Sequence, residues 1–214
     1  NNKASSKSFN PILKYLKPAY KELHDFVYNN IEGVVSSDLD YHIPLKGHPK
    51  YLGLIANPIN IELLKFTPLK VKEKVIIFHG INSANYYKKG SDYFEEALEI
   101  IQNKFPNKVE IKIVESLPYN EYIKTYNEAH IVLDQVLAYD QGYNALEAMS
   151  KGKVVFTGAE KEFYEYYNLN KTVAINALPD AQKIADALEE LILNPNQIKA
   201  IGKNAREFIE KEHH

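Results

Sequence analysis

Two stretches of the sequence combine charged, amide and glycine residues in arrangements that suit a phosphorylated ligand. The first, HGINSANYYKKGSDYF, follows an apolar run and ends its loop in Lys88, Lys89 and Gly90. These lysines precede the expected start of a helix, where free N–H groups and the positive end of the helix dipole attract phosphate. The stretch matches neither the dinucleotide-binding glycine pattern nor the P-loop. The residues alone leave two interpretations open, a phosphate-binding loop and an exposed loop with solvated lysines.

The second stretch, DQVLAYDQGYNALEAMSKGK, places polar residues at the end of a strand and again before a helix. Asp134 follows the strand directly. We expect Asp140 or Gln141 to cap the helix, and Gly142 to let a ligand approach the backbone closely.

The helix that follows carries an acid in an apolar setting. Asn144, Glu147 and Lys151 lie near one face, whereas the residues around Glu147 direct apolar side chains to the core. A buried carboxylate needs donors. Two donors are in question at this point: Lys151, one turn later, and the ribose hydroxyls of a bound nucleotide.

Apolar runs and amphipathic stretches alternate from Val75 to the end of the chain, and they predict one Rossmann-like, doubly wound α/β domain. Such a domain has a parallel sheet with helices on both faces. Its ligands bind beyond the carboxyl ends of the strands, so we expect functional residues after Phe78, Val114, Leu133 and Phe156. The predicted strands are 74–80, 109–115, 130–135, 153–158 and 172–176, and the predicted helices are 90–105, 119–128, 142–151, 160–167, 181–193 and 196–212.

The first third of the chain lacks this alternation. Residues 8–29 have helical spacing with a break at Lys17-Pro18. Residues 33–37 read as a short buried strand, and residues 40–60, which contain three prolines, as mostly extended chain or loop.

Composition excludes several classes of protein. The chain has 214 residues, a net charge of −2 and no cysteine, which rules out disulfides and thiolate metal sites. The charge does not favour nucleic acid or anionic lipid, and no run approaches the ~18 apolar residues of a membrane span. The histidines show no metal-binding spacing. His79, at the end of the first strong strand, would bond a ligand oxygen or merely cap the strand.

The two stretches together resemble the C-terminal domain of group 1 glycosyltransferases with the GT-B fold, of the bacterial polysaccharide-biosynthesis type. LEAMSKGKVVFTG is similar to the family signature, in which a glutamate is followed by Ala-Met, a glycine and a valine-rich strand. HGINSANYYKKGSDYFEEAL resembles the loop that binds the donor phosphates. VVSSDLDYHIP and YLGLIANPINIELLKF resemble the last strand of the N-terminal domain and the linker after it. The resemblance covers most of the chain.

This resemblance implies two Rossmann-like domains, of which the chain holds the second and a remnant of the first. We assign residues 1–66 to the remnant of the N-terminal acceptor domain and the linker, and residues 67–214 to the domain that binds a nucleotide-activated sugar. The implied reaction transfers a hexosyl group with retention to a glycan or lipid-linked acceptor, without metal or other cofactor. We expect a cytoplasmic protein, with peripheral association at the inner membrane face as an option, and a fragment inactive without the missing domain.

The resemblance also implies the site residues. Lys89 would meet the donor diphosphate, with Lys88 in place of an arginine that the family often has, and Glu147 would bind the ribose hydroxyls. The other expected donor contacts are Gly80, Asn82, Gly90, Gln141, Gly142, Tyr143 and Asn144.

One departure concerns the second glutamate of the family, whose position is held by Tyr139. Asp140 or Asp134 is the candidate replacement, and the expected catalytic residues are Glu147, Asp140 and Lys89. Two other hypotheses stay open. One is a non-catalytic ligand-binding module with a flavodoxin-like or receiver-like sheet, and the other is a catalytically silent partner that kept the fold.

Overall fold

The structure, a computed structural model, describes residues 16–214, so residues 8–15 of the helix predicted at residues 8–29 lie outside the described residues. Its elements in chain order are α1 (Pro18–Asn30), β1 (Val34–Ser36), α2 (Leu39–Leu45), β2 (Tyr51–Leu54), β3 (Val75–Ile81), a 3₁₀ turn (Ser83–Asn85), α3 (Tyr86–Lys89), α4 (Ser91–Lys104), β4 (Val109–Glu115), α5 (Tyr119–Glu128), β5 (Ile131–Leu133), α6 (Tyr143–Ser150), β6 (Val154–Thr157), α7 (Lys161–Tyr166), β7 (Ile175–Asn176), α8 (Ala181–Leu193) and α9 (Pro195–Glu212).

Five parallel strands form the main sheet in the order β4-β3-β5-β6-β7. The chain runs from β3 outward to β4, and then returns to β5 on the other side of β3 before it continues to β6 and β7. The order therefore reverses between β3 and β5, and ligands of doubly wound sheets bind at such a switch point. The loops after β3 and β5 border this crevice.

Helices cover both faces of the sheet because successive side chains of each buried strand point to opposite faces. In β3, Ile77 packs in one core with Phe94 of α4 and Leu188 of α8. The next residue, Phe78, packs in the other core with Leu146 of α6 and others. The predicted doubly wound α/β fold is confirmed, and its strands and helices lie within a few residues of the predicted bounds.

The prediction for residues 40–60 is wrong in part, since the segment around them contains α2 and β2. Asp38 begins α2 by accepting a backbone N–H bond at 3.2 Å, and Leu39 is buried. A capping bond and a core contact thus offset the cost of Pro44 near the end of the helix. The strand β2 exists because β1 pairs with it in parallel. The strand predicted at 33–37 is present as β1, but Val35 is exposed rather than buried.

Two residues of the N-terminal third, Leu39 and Ile59, pack in the core of the main sheet. The boundary between residues 1–66 and 67–214 stays a prediction. Within residues 16–214, no helix combines the length and the hydropathy that crossing a bilayer requires.

Candidate functional site

The turn around Lys89 brings the first stretch to the switch point. Helix α3 ends at Lys89, and Gly90, with a φ of 68°, closes that helix and begins α4. A Cβ at Gly90 would lie 2.1 Å from the Val136 side chain, so this position needs glycine for its dihedral angle and for space. Lys89 therefore stands directly before the N-terminus of α4, as the sequence predicts, while Lys88 is exposed.

The start of α6 differs from the prediction. Gly142 is its N-cap, and no side chain in the described part of the chain caps the helix. The prediction that Asp140 or Gln141 caps it is wrong, because the fold engages both side chains elsewhere. Gln141 donates its amide N–H to the carbonyl of Gly158 at 2.7 Å, and Asp140 accepts the backbone N–H of Leu39 at 2.8 Å. The first backbone N–H groups of α6 thus have no side-chain acceptor.

Gly142 is exposed, and a Cβ added there would meet nothing within 4 Å. The backbone of Gly142, Tyr143 and Asn144 consequently offers donors on an open surface. Tyr143 is itself exposed.

Asp134 joins the two stretches. Its carboxylate follows β5 and is almost completely buried. The Lys89 ammonium lies 2.7 Å from its Oδ1, and Asn144 Nδ2 donates to the same oxygen at 2.9 Å. The hydroxyl of Thr157, the last residue of β6, lies 3.4 Å from Oδ2. Residues distant in sequence therefore converge on one carboxylate at the carboxyl edge of the sheet.

A tyrosine layer on α5 supports Asn144. The hydroxyl of Tyr122 donates to Asn144 Oδ1 at 2.8 Å, and that of Tyr126 donates to the Asn144 carbonyl at 2.8 Å. Burial, followed by the negative charge of Asp134, raises the pKa of Tyr122 well above its ordinary value. The phenol stays a neutral donor at physiological pH, which fixes the orientation of the Asn144 amide.

Two residues of the first stretch have local roles in the structure. Gly80, the last residue of the predicted strand 74–80, lies within β3, where a Cβ would come 2.6 Å from the ring of Tyr122. Its lack of a side chain makes room for that ring. Asn82 is exposed and accepts the backbone N–H of Ala84 at 3.0 Å, so its side chain begins the 3₁₀ turn.

Glu147 is half-buried rather than fully buried. Among residues 16–214, no hydrogen-bond or ion-pair partner reaches its carboxylate. The alternative in which Lys151 pairs with it is wrong, since Lys151 donates to Asn127 Oδ1 at 2.7 Å. The negative charge of Glu147 still raises the pKa of Tyr122 and Tyr126, after the larger effect of burial, so it lies on the side of the tyrosine layer.

His79 is buried at the carboxyl end of β3, and its Nδ1 lies 3.1 Å from the Leu133 carbonyl. Because a carbonyl only accepts, Nδ1 carries the proton and Nε2 is an acceptor. Nε2 is buried without a partner in the described part of the chain. Burial lowers the pKa of His79, so the ring is neutral at physiological pH.

Asp140 lies apart from this cluster. Its hydrogen bond and its nearest charges come from the N-terminal segment: Leu39 donates to it, while Asp38 and Asp40 raise its pKa. Burial is the largest cause, and together they bring the pKa of Asp140 to about 7. No described interaction connects Asp140 with Lys89 or Glu147. Asp134 thus links Lys89 to α6, the helix that carries Glu147. Asp140 bonds instead to the N-terminal segment.

The carboxylates of Asp38, Asp40 and Asp140 form a group that the sequence did not suggest, with oxygens within 4.8 Å of one another. Oxygens of this kind bind hard cations. Each carboxylate, however, already accepts a backbone N–H bond, from Tyr41, Tyr139 and Leu39 respectively.

The sequence profile of a known family, described as glycosyl transferase-like, matches residues 78–214, which include both stretches. The chain belongs to this glycosyl transferase-like family. No curated protein matches the chain significantly.

The fold of this glycosyl transferase-like protein is shared with solved structures of low sequence identity. TarM of S. aureus, with fondaparinux, α-GlcNAc-glycerol and UDP, has a TM-score of 0.64 at 18% identity over 86% of this chain and 42% of its own. Sucrose-phosphate synthase from Thermosynechococcus elongatus has 0.65 at 17% identity over 95% and 61%. HepE from Anabaena, with UDP and glucose, has 0.61 at 16% identity over 85% and 59%. The chain therefore spans about half the length of these relatives. Their structural similarity to it confirms the Rossmann-like part of a GT-B fold.

Sequence reasoning named Asp134 only as a replacement for the missing glutamate, and it missed Thr157 and Tyr122. The one available signal for Asp134 was its place directly after an apolar strand. Nothing in the spacing of Tyr122 distinguishes it from the other tyrosines on helical faces.

Proposed function

We propose that this glycosyl transferase-like chain binds a nucleotide-activated sugar and supplies the donor half of a hexosyltransferase. The observation that carries the proposal is the meeting of Lys89 and Asn144 on Asp134 at the switch point of the sheet, with the unpaired Glu147 carboxylate one helical turn further along. One site then offers a cation, free helix N–H groups and a carboxylate acceptor. A nucleoside diphosphate needs all three.

Each group has a chemical role in this proposal. The ammonium of Lys89 and the N-terminus of α4 stabilise the negative charge that develops on the departing diphosphate. The carboxylate of Glu147 accepts hydrogen bonds from the ribose hydroxyls. The first N–H groups of α6, at Gly142, Tyr143 and Asn144, add donors on the exposed side.

The side chains of Gln141 and Asn82 are engaged within the protein, so we assign the donor contacts of these two residues to their backbone. Gly80 acts through the space that it leaves for Tyr122, and Gly90 through the turn that places Lys89. Lys88 adds a second positive charge beside the diphosphate. These assignments keep the predicted residues but change how several of them contribute.

The solved relatives support the class of donor, because the HepE and TarM structures contain UDP. The second substrate in the proposal is a glycan or lipid-linked acceptor, held by a second Rossmann-like domain. Transfer proceeds with retention and without a metal, in the cytoplasm or at the inner membrane face. The isolated chain binds donor but does not turn it over.

A second candidate is a silent partner that binds donor but catalyses nothing. Tyr139 occupies the position of the family's second glutamate, and Asp140 accepts the backbone N–H of Leu39 in the N-terminal segment. Turnover by the full-length protein decides between the two.

Calorimetry with UDP, GDP, ADP and their glucose conjugates tests the donor proposal. The protein is expected to bind one nucleoside diphosphate more tightly than the corresponding nucleoside. Glu147→Ala is expected to weaken binding of that nucleotide by about 1–3 kcal/mol, because the ribose hydroxyls lose a charged acceptor.

Glu162→Ala is the matched control, since Glu162 is an exposed acid on α7. Unchanged affinity in Glu147→Ala removes the ribose role. Absence of binding by all three nucleoside diphosphates rejects the proposal as a whole.

A further inference from the structure

The proposed function assigns no role of its own to the carboxylate of Asp134, the most deeply buried charged group of the site. The side chain of Asp134 is 1% exposed, whereas that of its partner Lys89 is 30% exposed. The carboxylate is thus closed to a ligand, and the ammonium is open to one. A charge buried this deeply requires a counter-charge and hydrogen bonds.

The partners of Asp134 come from three elements. Lys89 ends α3, Asn144 lies in the first turn of α6, and Thr157 ends β6. Both Lys89 and Asn144 meet the same oxygen, Oδ1. Their positions are therefore fixed relative to each other by one atom that the sheet holds in place.

A second tie acts on the same turn. The backbone N–H of Val136 donates to the carbonyl of Lys89 at 3.1 Å, and the Val136 side chain fills the space beside Gly90. The loop after β5 thus fixes both the backbone and the side chain of Lys89. Without this hold, a lysine side chain has many rotamers, and ordering it opposes ligand binding.

We propose that Asp134 is a positioning residue, which holds Lys89 and Asn144 ready for the diphosphate of the donor. The inference rests on the proposed function and deepens it. Asp134 takes one of the three ammonium hydrogens of Lys89, and the others stay available on the exposed side. The carboxylate itself touches no donor atom. Its contribution to binding passes entirely through its two partners.

The first experiment measures, without any nucleotide, how far Asp134 restrains the amine of Lys89. Asp134→Asn keeps the shape of the side chain but removes its charge. We expect the amine of Lys89 to react with acetic anhydride about three- to tenfold faster in this variant, by mass spectrometry of the peptide. The amine of the exposed Lys72 serves as internal reference and keeps its rate. An unchanged rate at Lys89 overturns the proposal.

The second experiment is a double-mutant cycle on the diphosphate contribution, measured as the ratio of the Kd for uridine to the Kd for UDP. If the base screen favours another nucleoside diphosphate, that pair replaces UDP and uridine. Asp134→Asn is expected to lower the ratio about tenfold in the wild-type background. In the Lys89→Met background it is expected to lower the ratio less than threefold, because only the part of the effect that passes through Asn144 remains.

The outcomes distinguish failure of the positioning role from failure of the proposed function. Equal losses for UDP and uridine, or losses that add to those of Lys89→Met, show a merely structural carboxylate and overturn the positioning role. Faster acetylation of Lys89 in Asp134→Asn, combined with no binding of any nucleoside diphosphate by the wild type, rejects the proposed function. The Asp134–Lys89 pair is then purely structural. Thermal melts of both variants confirm that each is folded at the assay temperature.

Discussion

The loop between β5 and α6 contains the dipeptide Asp-Gln twice, and the fold treats the two aspartates differently. Asp134 receives a lysine ammonium and a side-chain amide. Asp140, six positions later, receives from the described residues only the backbone N–H of Leu39, and it lies beside two more carboxylates. Both are buried. Burial alone therefore does not decide the role of a carboxylate, since the donors and charges that the fold brings to it differ.

The two aspartates consequently have different roles in the structure. Asp134 organises a cation at the switch point of the sheet, where ligands bind. Asp140, with a pKa of about 7, instead fastens the N-terminal segment to the main domain. A reciprocal bond completes this attachment, because Asp40 accepts the backbone N–H of Tyr139 at 3.1 Å.

The largest expected effect comes from removing the cation from the first aspartate. Lys89→Met leaves the carboxylate of Asp134 buried without a counter-charge, and we expect a loss of about 3 kcal/mol in the free energy of unfolding. Urea denaturation at pH 7 measures it. The exposed Lys72→Met is the control, with a change within about 0.5 kcal/mol. Equal losses in the two variants would show that Lys89 stabilises the fold no more than an exposed lysine does, so that its pairing with Asp134 makes no special contribution.

An intermediate effect is expected at the second aspartate, and it depends on pH. The folded-state pKa of Asp140, about 7, lies above the ordinary value of 3.8, so the folded protein holds this proton where the unfolded chain has released it. Its contribution to the free energy of unfolding therefore falls as pH rises from about 4 to about 7. Asp140→Asn removes this dependence. At pH 8 its melting temperature should exceed that of the wild type by about 2–4 °C, for a gain near 1 kcal/mol.

Thermal melts from pH 4 to pH 8 check the Asp140 prediction, and the exposed Glu162→Gln serves as a control that keeps the wild-type slope. Parallel curves for wild type and Asp140→Asn would mean that Asp140 titrates alike in the folded and unfolded chains. The charged and titratable groups that bear on Asp140 are Asp38, Asp40 and Tyr167.

The smallest effect is expected from a neighbour of Asp140. Asp38→Asn removes one nearby negative charge, and it keeps the cap of α2 because asparagine accepts the same N–H bond. The pKa of Asp140 should move down toward its ordinary value. Carboxyl carbon shifts of Asp140, followed through a pH titration, measure this. The exposed Asp186→Asn on α8 should leave the titration unchanged. An unchanged midpoint in Asp38→Asn would assign the raised pKa to burial and to Asp40, without a contribution from Asp38.

The order of elements from β3 onward was predictable because buried parallel strands are continuous apolar runs and their helices are amphipathic. Lys89 before α4 and Gly142 before α6 followed from the same pattern, since the loops after adjacent parallel strands must lie at one edge. The helix α2 was missed because Pro44 argued against it, whereas the capping bond of Asp38 and the burial of Leu39 decided the outcome.

The partners of the charged side chains were not predictable. Lys151 lies one helical turn after Glu147, yet it bonds to Asn127, which α5 brings within reach. Local spacing shows which pairs are possible on one helix, but it says nothing of competing groups on another. The pairing of Asp134 with Lys89 has the same origin, since 45 positions separate the two residues in the chain.

The sequence by itself determined the doubly wound sheet, the family resemblance and the two stretches that meet at its edge, because hydrophobic periodicity and motif spacing are local properties of the chain. Only the tertiary structure decided that Asp134 contacts both stretches, that Glu147 has no bonded partner among residues 16–214, and that Asp140 bonds to the N-terminal segment. The physical reason is that the state of a buried charge depends on donors and charges within a few ångströms, and folding brings these from distant parts of the chain.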